Sequence, residues 1–188
     1  MLFRSERPEY ADHWANKWVD LLRPNPYRVG IKAVLNYDVW IRDNFRANKP
    51  YDQFVRELIT ATGSTWHNGA TTLFRDRREP DEITTLVSQL FLGIRLECAK
   101  CHHHPFEKWG QEDFYGFAAF FSRIGRKGTG LSPPISGGEE MVLVAKSGQV
   151  QHPLTGAVLP PKPLFPLASV NLEPSPTDRK STRLNSSH

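Results

Sequence analysis

The chain has 188 residues, with 24 Lys and Arg against 20 Asp and Glu for a net charge of +4, and a mean hydropathy of −0.48. That length suits one domain, or one domain with an extension, and eleven Phe, five Trp and five Tyr are ample material for a core. No apolar run approaches the roughly 20 residues of a membrane span, and interleaved charges such as Arg75-Asp76-Arg77-Arg78-Glu79 point to a solvated loop rather than a nucleic-acid stripe.

The opening M-L-F-R-S-E-R-P-E-Y has no apolar h-region, so no secretory signal is read there. A first helix is predicted over 9–23, with Tyr10, Trp14, Trp18, Leu21 and Leu22 on one face, stopped by Pro24 and Pro26. His13, beside Trp14, is assigned to the surface or core edge. A second helix over 30–47 carries Val34, Tyr37, Ile41 and Phe45. A third starts at Pro50 with Tyr51, Phe54, Val55, Leu58 and Ile59, and ends near Gly63. Residues 64–79 are polar and irregular and are expected to form a surface loop containing Trp66 and His67.

Pro80 starts the strongest helix, whose stripe of Ile83, Leu86, Val87, Leu90, Phe91 and Ile94 leads straight toward Cys98. A fifth follows Gly110, led by Gln111, Glu112 and Asp113, with Phe114, Phe117, Ala118, Phe121 and Ile124 inward. Glu107, Glu112 and Asp113 suit helix-start and structural roles better than acid/base catalysis. Beyond this the composition turns Pro-rich. Met141–Ala145 and a return strand from Val150 suggest a small hairpin. The expected organisation is mainly α: a helical domain over 1–128 of about five helices, a hairpin and Pro-rich extension over 129–165, and a disordered tail over 166–188 whose end looks non-native.

Both cysteines fall between the fourth and fifth helices, in L-E-C-A-K-C-H-H-H-P-F-E-K-W from Leu96 to Trp109. Cys98, Cys101 and His102 spell C-x-x-C-H, the attachment pattern of a c-type haem. There each thiol adds across a vinyl group and the adjacent histidine supplies the proximal iron ligand. Phe106, Trp109 and Phe117 are candidates to wall the macrocycle, and Met141, His67 or His152 to supply a distal ligand. A zinc reading uses the two thiolates with His102 or His104 and one further ligand, such as His67 or His152. The plainest alternative is a C-x-x-C pair, reduced or disulfide-linked, beside solvated histidines. Haem is favoured because zinc sites commonly need a second ligand pair and the chain has no third cysteine.

Three stretches, Y-D-Q-F-V-R-E-L from Tyr51, S-Q-L-F-L-G-I-R-L-E-C-A-K-C-H-H-H-P-F-E-K-W from Ser88 and D-F-Y-G-F-A-A-F-F from Asp113, resemble the planctomycete domain of unknown function numbered 1549. The resemblance runs over about residues 5–165. Members look like large exported proteins in which this domain accompanies a planctomycete-type cytochrome c module and a second domain of unknown function. The resemblance therefore implies an extracytoplasmic setting, a c-type haem at Cys98, Cys101 and His102, and a redox partner within the same full-length protein. On it, the present sequence reads as a fragment.

The leading expectation is a haem-bearing electron-transfer domain with no nucleic-acid partner and no membrane span. A zinc-stabilised structural or interaction module is the alternative. A part in polysaccharide degradation has only the family setting behind it. No catalytic constellation is identified, and any chemistry would be redox.

Overall fold

The computed structural model describes residues 7–128 and 138–165; the expected tail over 166–188 lies outside the described residues. Proline opens three helices, α1 (Pro8–Leu22), α2 (Pro26–Val29) and α6 (Pro80–Leu92), because its fixed φ suits the first turn and its missing N–H costs nothing there. Between them lie α3 (Ile31–Arg46), α4 (Tyr51–Ile59), the short β1 (Gly63–Ser64) and α5 (Thr72–Asp76), which continues a 3₁₀ turn over Gly69–Thr71. After α6 come a 3₁₀ turn over Leu96–Lys100, α7 (Gln111–Ala118) and a terminal 3₁₀ turn over Ala119–Phe121. Four short strands follow: β2 (Ile124–Gly128), β3 (Glu140–Val144), β4 (Val150–Gln151) and β5 (Val158–Leu159). The fold is mainly α with a small antiparallel sheet.

Two apolar cores are distinguishable. The first gathers Leu22, Tyr37, Ile41, Leu58, Phe74 and Ile83 with Val142 of β3. The second joins Ile94, Leu96, Ala99, Trp109, Phe114 and Leu164. Each fully buried large aliphatic or Phe side chain contributes about 1.5–3 kcal/mol. On the first core Trp18 lies within 5.1–6.5 Å of the rings of Phe45, Tyr51, Phe54 and Phe91. Helix α1 is rotated from the face its aromatics suggest: Trp18 and Leu22 face the core as expected, but not all of the stripe does. Ala11, Ala15 and Leu22 are buried, while Trp14 and Leu21 are exposed. Helix α1 packs on α3, and the buried Ala11 and Ala15 of α1 and Ala33 of α3 are small side chains that let two helices approach closely where bulky indoles would hold them apart.

The Arg75–Glu79 stretch is a correction to the solvated-loop expectation. Arg75 and Asp76 are each 2 % exposed, and charges buried to this degree are found paired and hydrogen-bonded. Arg75 donates to Thr65 Oγ1 at 3.0 Å and to the Gly138 carbonyl at 2.8 Å. Arg78 holds Glu140 with two hydrogen bonds, at 2.9 and 3.2 Å, and Asp76 pairs with Arg77 and accepts the Asn25 N–H at 3.1 Å. Burial raises the Asp76 carboxyl against the pull of the Asn25 amide and Arg77. Arg126 closes the network by donating to the carbonyls of Phe74, Arg77 and Arg78. Most of the preceding stretch is likewise interior: Ser64, Thr65 and Gly69–Thr72 are buried. At Gly69 a Cβ would sit 2.2 Å from the Asn36 carbonyl oxygen, so only glycine admits this crossing over α3.

The expected hairpin is replaced by two separate ladders. β3 lies between β1 and β2, with Val142 opposite both Gly63 and Arg126, whereas Val150 of β4 pairs with Leu159 of β5. From β5 a strap over 160–165 crosses α7. Its Lys162 N–H donates to the Gly116 carbonyl at 2.9 Å and its ammonium reaches Asp113 at 2.7 Å. Leu164 then plugs into the second core.

Candidate functional site

Helix α6 does not run into the cysteines as its stripe suggests. Gly93, at φ 69°, ends it in the left-handed conformation, and the chain restarts as the Leu96–Lys100 turn. In 3₁₀ geometry residues three apart eclipse. Leu96 and Ala99 thus share the buried side while Cys98 and Cys101 share the exposed one. Both thiols are free.

The turn is gripped from behind. Gln111 Nε2 donates to the carbonyls of Lys100 and Cys101 at 3.1 and 3.0 Å, and the Tyr115 hydroxyl donates to Lys100 O at 3.3 Å. These carbonyls end a helical turn and need partners from outside it. Lys100 is tied to Asp81 of α6, Nζ to Oδ2 2.5 Å. That hydrogen bond raises the ammonium pKa. Burial pushes the Asp81 carboxyl up, but the Lys100 hydrogen bond and charge outweigh it and hold the group below its ordinary range. Sequence reasoning missed this grip. Its available signal was the i, i+4 spacing of Gln111 and Tyr115, which places both on one face of α7.

The histidines divide by tautomer. His102 Nδ1 lies 2.6 Å from the His103 carbonyl oxygen. A carbonyl can only accept, so Nδ1 carries the proton and the Nε2 lone pair is left for a ligand. His104 is the reverse: its Nδ1 accepts the backbone N–H groups of Phe106 and Glu107 at 3.3 and 3.0 Å, which puts the neutral ring's proton on Nε2. The His104 N–H donates to Trp109 O at 2.8 Å, closing the same loop. Glu107 accepts the Trp109 indole N–H at 2.6 Å, and Asp113 accepts the Gly110 N–H at 3.0 Å and the Lys162 ammonium. Both carboxylates hold structure here, as their positions in the sequence suggested.

Two exposed thiols and an adjacent imidazole with a free Nε2 fit covalent haem attachment. The expected wall is not assembled. Trp109 is buried in the second core, Phe117 lines an apolar groove that no motif residue touches, and Phe106 is 93 % exposed. Nor is the zinc set gathered: among the described residues no three His, Cys, Asp or Glu side chains converge as a metal site. Of the suggested distal ligands, His67 is exposed beside β1 and Met141 lies on β3, in the ladder against the first core. His152 is buried, with Nδ1 accepting the Leu154 N–H at 3.3 Å and its ring 6.0 Å from that of Tyr115. It stands one residue removed from the motif, behind the Lys100 carbonyl.

The fold and site thus define a mainly helical domain that displays a C-x-x-C-H turn on its surface. The model of the PSCyt2 family, described as protein of unknown function (DUF1549), matches residues 2–126, and the chain belongs to this family. No curated protein and no solved structure matches it. No helix among the described residues is long and apolar enough to cross a membrane.

Proposed function

We propose that this is an electron-transfer domain carrying a covalent c-type haem on Cys98 and Cys101, with His102 as proximal ligand, in an exported protein. The observation that carries the reading is the His102 ring. Its Nδ1–H is held by a backbone carbonyl, the arrangement that orients a ligating imidazole and raises its basicity. His104, committed through Nδ1 to two backbone amides, favours haem over a zinc site built on that residue. When bound, the haem would supply one-electron redox chemistry. The chain's own part is to hold both thiols outward from one turn, to aim Nε2, and to anchor the backbone behind them through Gln111, Tyr115 and Lys100. The exposed Phe106 beside this surface suits coverage by a neighbouring redox module of the same full-length protein.

The test is expression in a bacterial periplasm with the cytochrome c maturation proteins, followed by the haemochrome spectrum and the intact mass. One covalent haem per chain is expected, and it should be lost when Cys98 and Cys101 are both replaced by serine. An unmodified chain holding one zinc would overturn the reading, as would covalent haem surviving the double replacement.

A further inference from the structure

Away from the motif, a groove of about 580 Å³ opens between the end of α4, the α7 region, the sheet and the 160–165 strap. Its floor is core, including Phe74, Val87, Phe121 and Val142, and its rim leaves Phe120, Val144 and Phe165 substantially wet. Soluble domains rarely keep so many large apolar side chains exposed around one concavity without a use for it. The volume falls within the range of small-molecule sites, roughly 300–1,000 Å³, and apolar walls with a few placed polar groups are their usual composition. A concave site walled by separate elements suits a small molecule better than a flat protein face.

The polar groups select the ligand. Thr60 and Thr62 are the hydroxyl-bearing residues of the lining, and the Thr60 hydroxyl is already donated to the Arg56 carbonyl of its own helix at 2.7 Å. Among the described residues, Arg123 is the one charged residue of the lining, and no acid among them lines the groove. Its Nε donates to the Ala145 carbonyl at 2.8 Å, which fixes the guanidinium at the rim while its terminal N–H groups make no ion pair among the described residues. A forked cation at the mouth of an apolar slot complements a carboxylate attached to a hydrocarbon chain.

We propose that this groove binds a fatty-acid-class amphiphile, with the alkyl chain against Phe74, Phe121 and Val142 and the carboxylate on Arg123. None of Cys98, Cys101, His102 or His104 lines it, so the site is independent of the haem reading.

The experiment titrates the full chain with oleate below its micelle-forming concentration, read by displacement of a fluorescent fatty acid, with oleyl alcohol as the uncharged comparison. Saturable one-to-one binding of oleate is expected. Arg123→Gln should weaken oleate about tenfold and leave the alcohol unchanged, and Thr60→Trp, which fills the slot from an exposed position, should abolish both. Far-UV circular dichroism and a melt confirm that each variant is folded. The proposal is overturned by absence of saturable binding to the wild-type chain. It is also overturned by an Arg123→Gln variant that binds oleate as well as the wild type.

Discussion

Glu140 is where the sheet meets the buried arginines, and Glu140→Ala is the substitution that weighs this junction. The carboxylate is held by Arg78 through two hydrogen bonds, at 2.9 and 3.2 Å, and lies 3.9 Å from Arg75 Nε. Removing one partner of a buried ion pair costs about 3–5 kcal/mol, because the other charge remains desolvated. Two features reduce that figure here. The Arg78 side chain is 31 % exposed and can rehydrate, and Arg75 keeps its bonds to Thr65 and Gly138. A loss of about 2–3 kcal/mol remains, and at roughly 2–4 °C per kcal/mol for a chain this long the melting temperature should fall by about 4–12 °C. Urea unfolding at pH 7 followed by tryptophan fluorescence measures it, with Glu140→Gln, which keeps the shape and part of the hydrogen bonding, losing about half as much. A Glu140→Ala loss under about 0.5 kcal/mol would place the pair among ordinary surface bridges and refute the claim that it locks β3 to the arginine network.

The histidine assignments separate in the haem-free chain. His104→Ala should cost about 1–2 kcal/mol because two loop amides lose their acceptor, whereas His102→Ala, on an exposed ring, should stay within about 0.5 kcal/mol; equal effects in urea titrations would contradict the tautomer argument. Tyr37 is buried with a hydroxyl that has no hydrogen-bond partner among the described residues, and burial followed by the Asp76 charge pushes its pKa well above the ordinary value. Tyr37→Phe is therefore expected to be neutral or stabilising by up to about 1 kcal/mol, and a clear fall in melting temperature would count against it. Asp81→Asn should cost no more than about 1 kcal/mol at pH 7, since the Lys100 pair is partly exposed. Because the folded Asp81 pKa lies below the ordinary carboxyl value, that stability is present above the unfolded pKa and vanishes as pH falls through the folded one. Melts at pH 7 and pH 3 should thus show the wild-type advantage shrinking in acid, and an advantage that grows in acid would reverse the assignment. Finally, a chain ending at Gly128 loses Val142 from the first core, Leu164 from the second and Glu140 from the arginine network and should show no cooperative melt.

What was legible in the sequence followed one rule, that local signals carry local structure. Pro50 and Pro80 as helix starts and the apolar stripes of α3, α4 and α6 located those helices to within a few residues, whereas the short α2 and α5 and the Gly93 stop went unread. C-x-x-C-H marked the surface turn. The misreadings share a different cause, a partner remote in the chain. Arg78 looks solvated until Glu140, 62 residues away, is brought against it. β1 is two residues long and exists because β3 lies alongside, and nothing in Gly63-Ser64 announces a strand. The inward face of α1 was read partly rotated, right at Trp18 and Leu22 but wrong at Trp14 and Leu21, because hydrophobicity favours Trp14 over Ala15 while close helix contact favours the smaller residue. His104 could not be told from His102 by type or spacing. The loop that closes onto Trp109 decides which ring nitrogen is spent.

That closure also explains why the motif is better formed than a bare C-x-x-C-H requires. A thiol pair needs only three-residue spacing, yet here the turn is fixed by Leu96 and Ala99 in the core, by Gln111 and Tyr115 on its carbonyls, and by Lys100 on Asp81. If the cysteines were merely solvated, loosening this frame would cost stability and nothing else. If they are attachment points, the same loosening must also lower the yield of covalent haem. Gln111→Ala is the discriminating substitution: it touches neither thiol nor imidazole, and removes two hydrogen bonds of about 0.5–1.5 kcal/mol each. A Gln111→Ala chain that folds but takes up haem as fully as the wild type would show that the frame serves the fold alone.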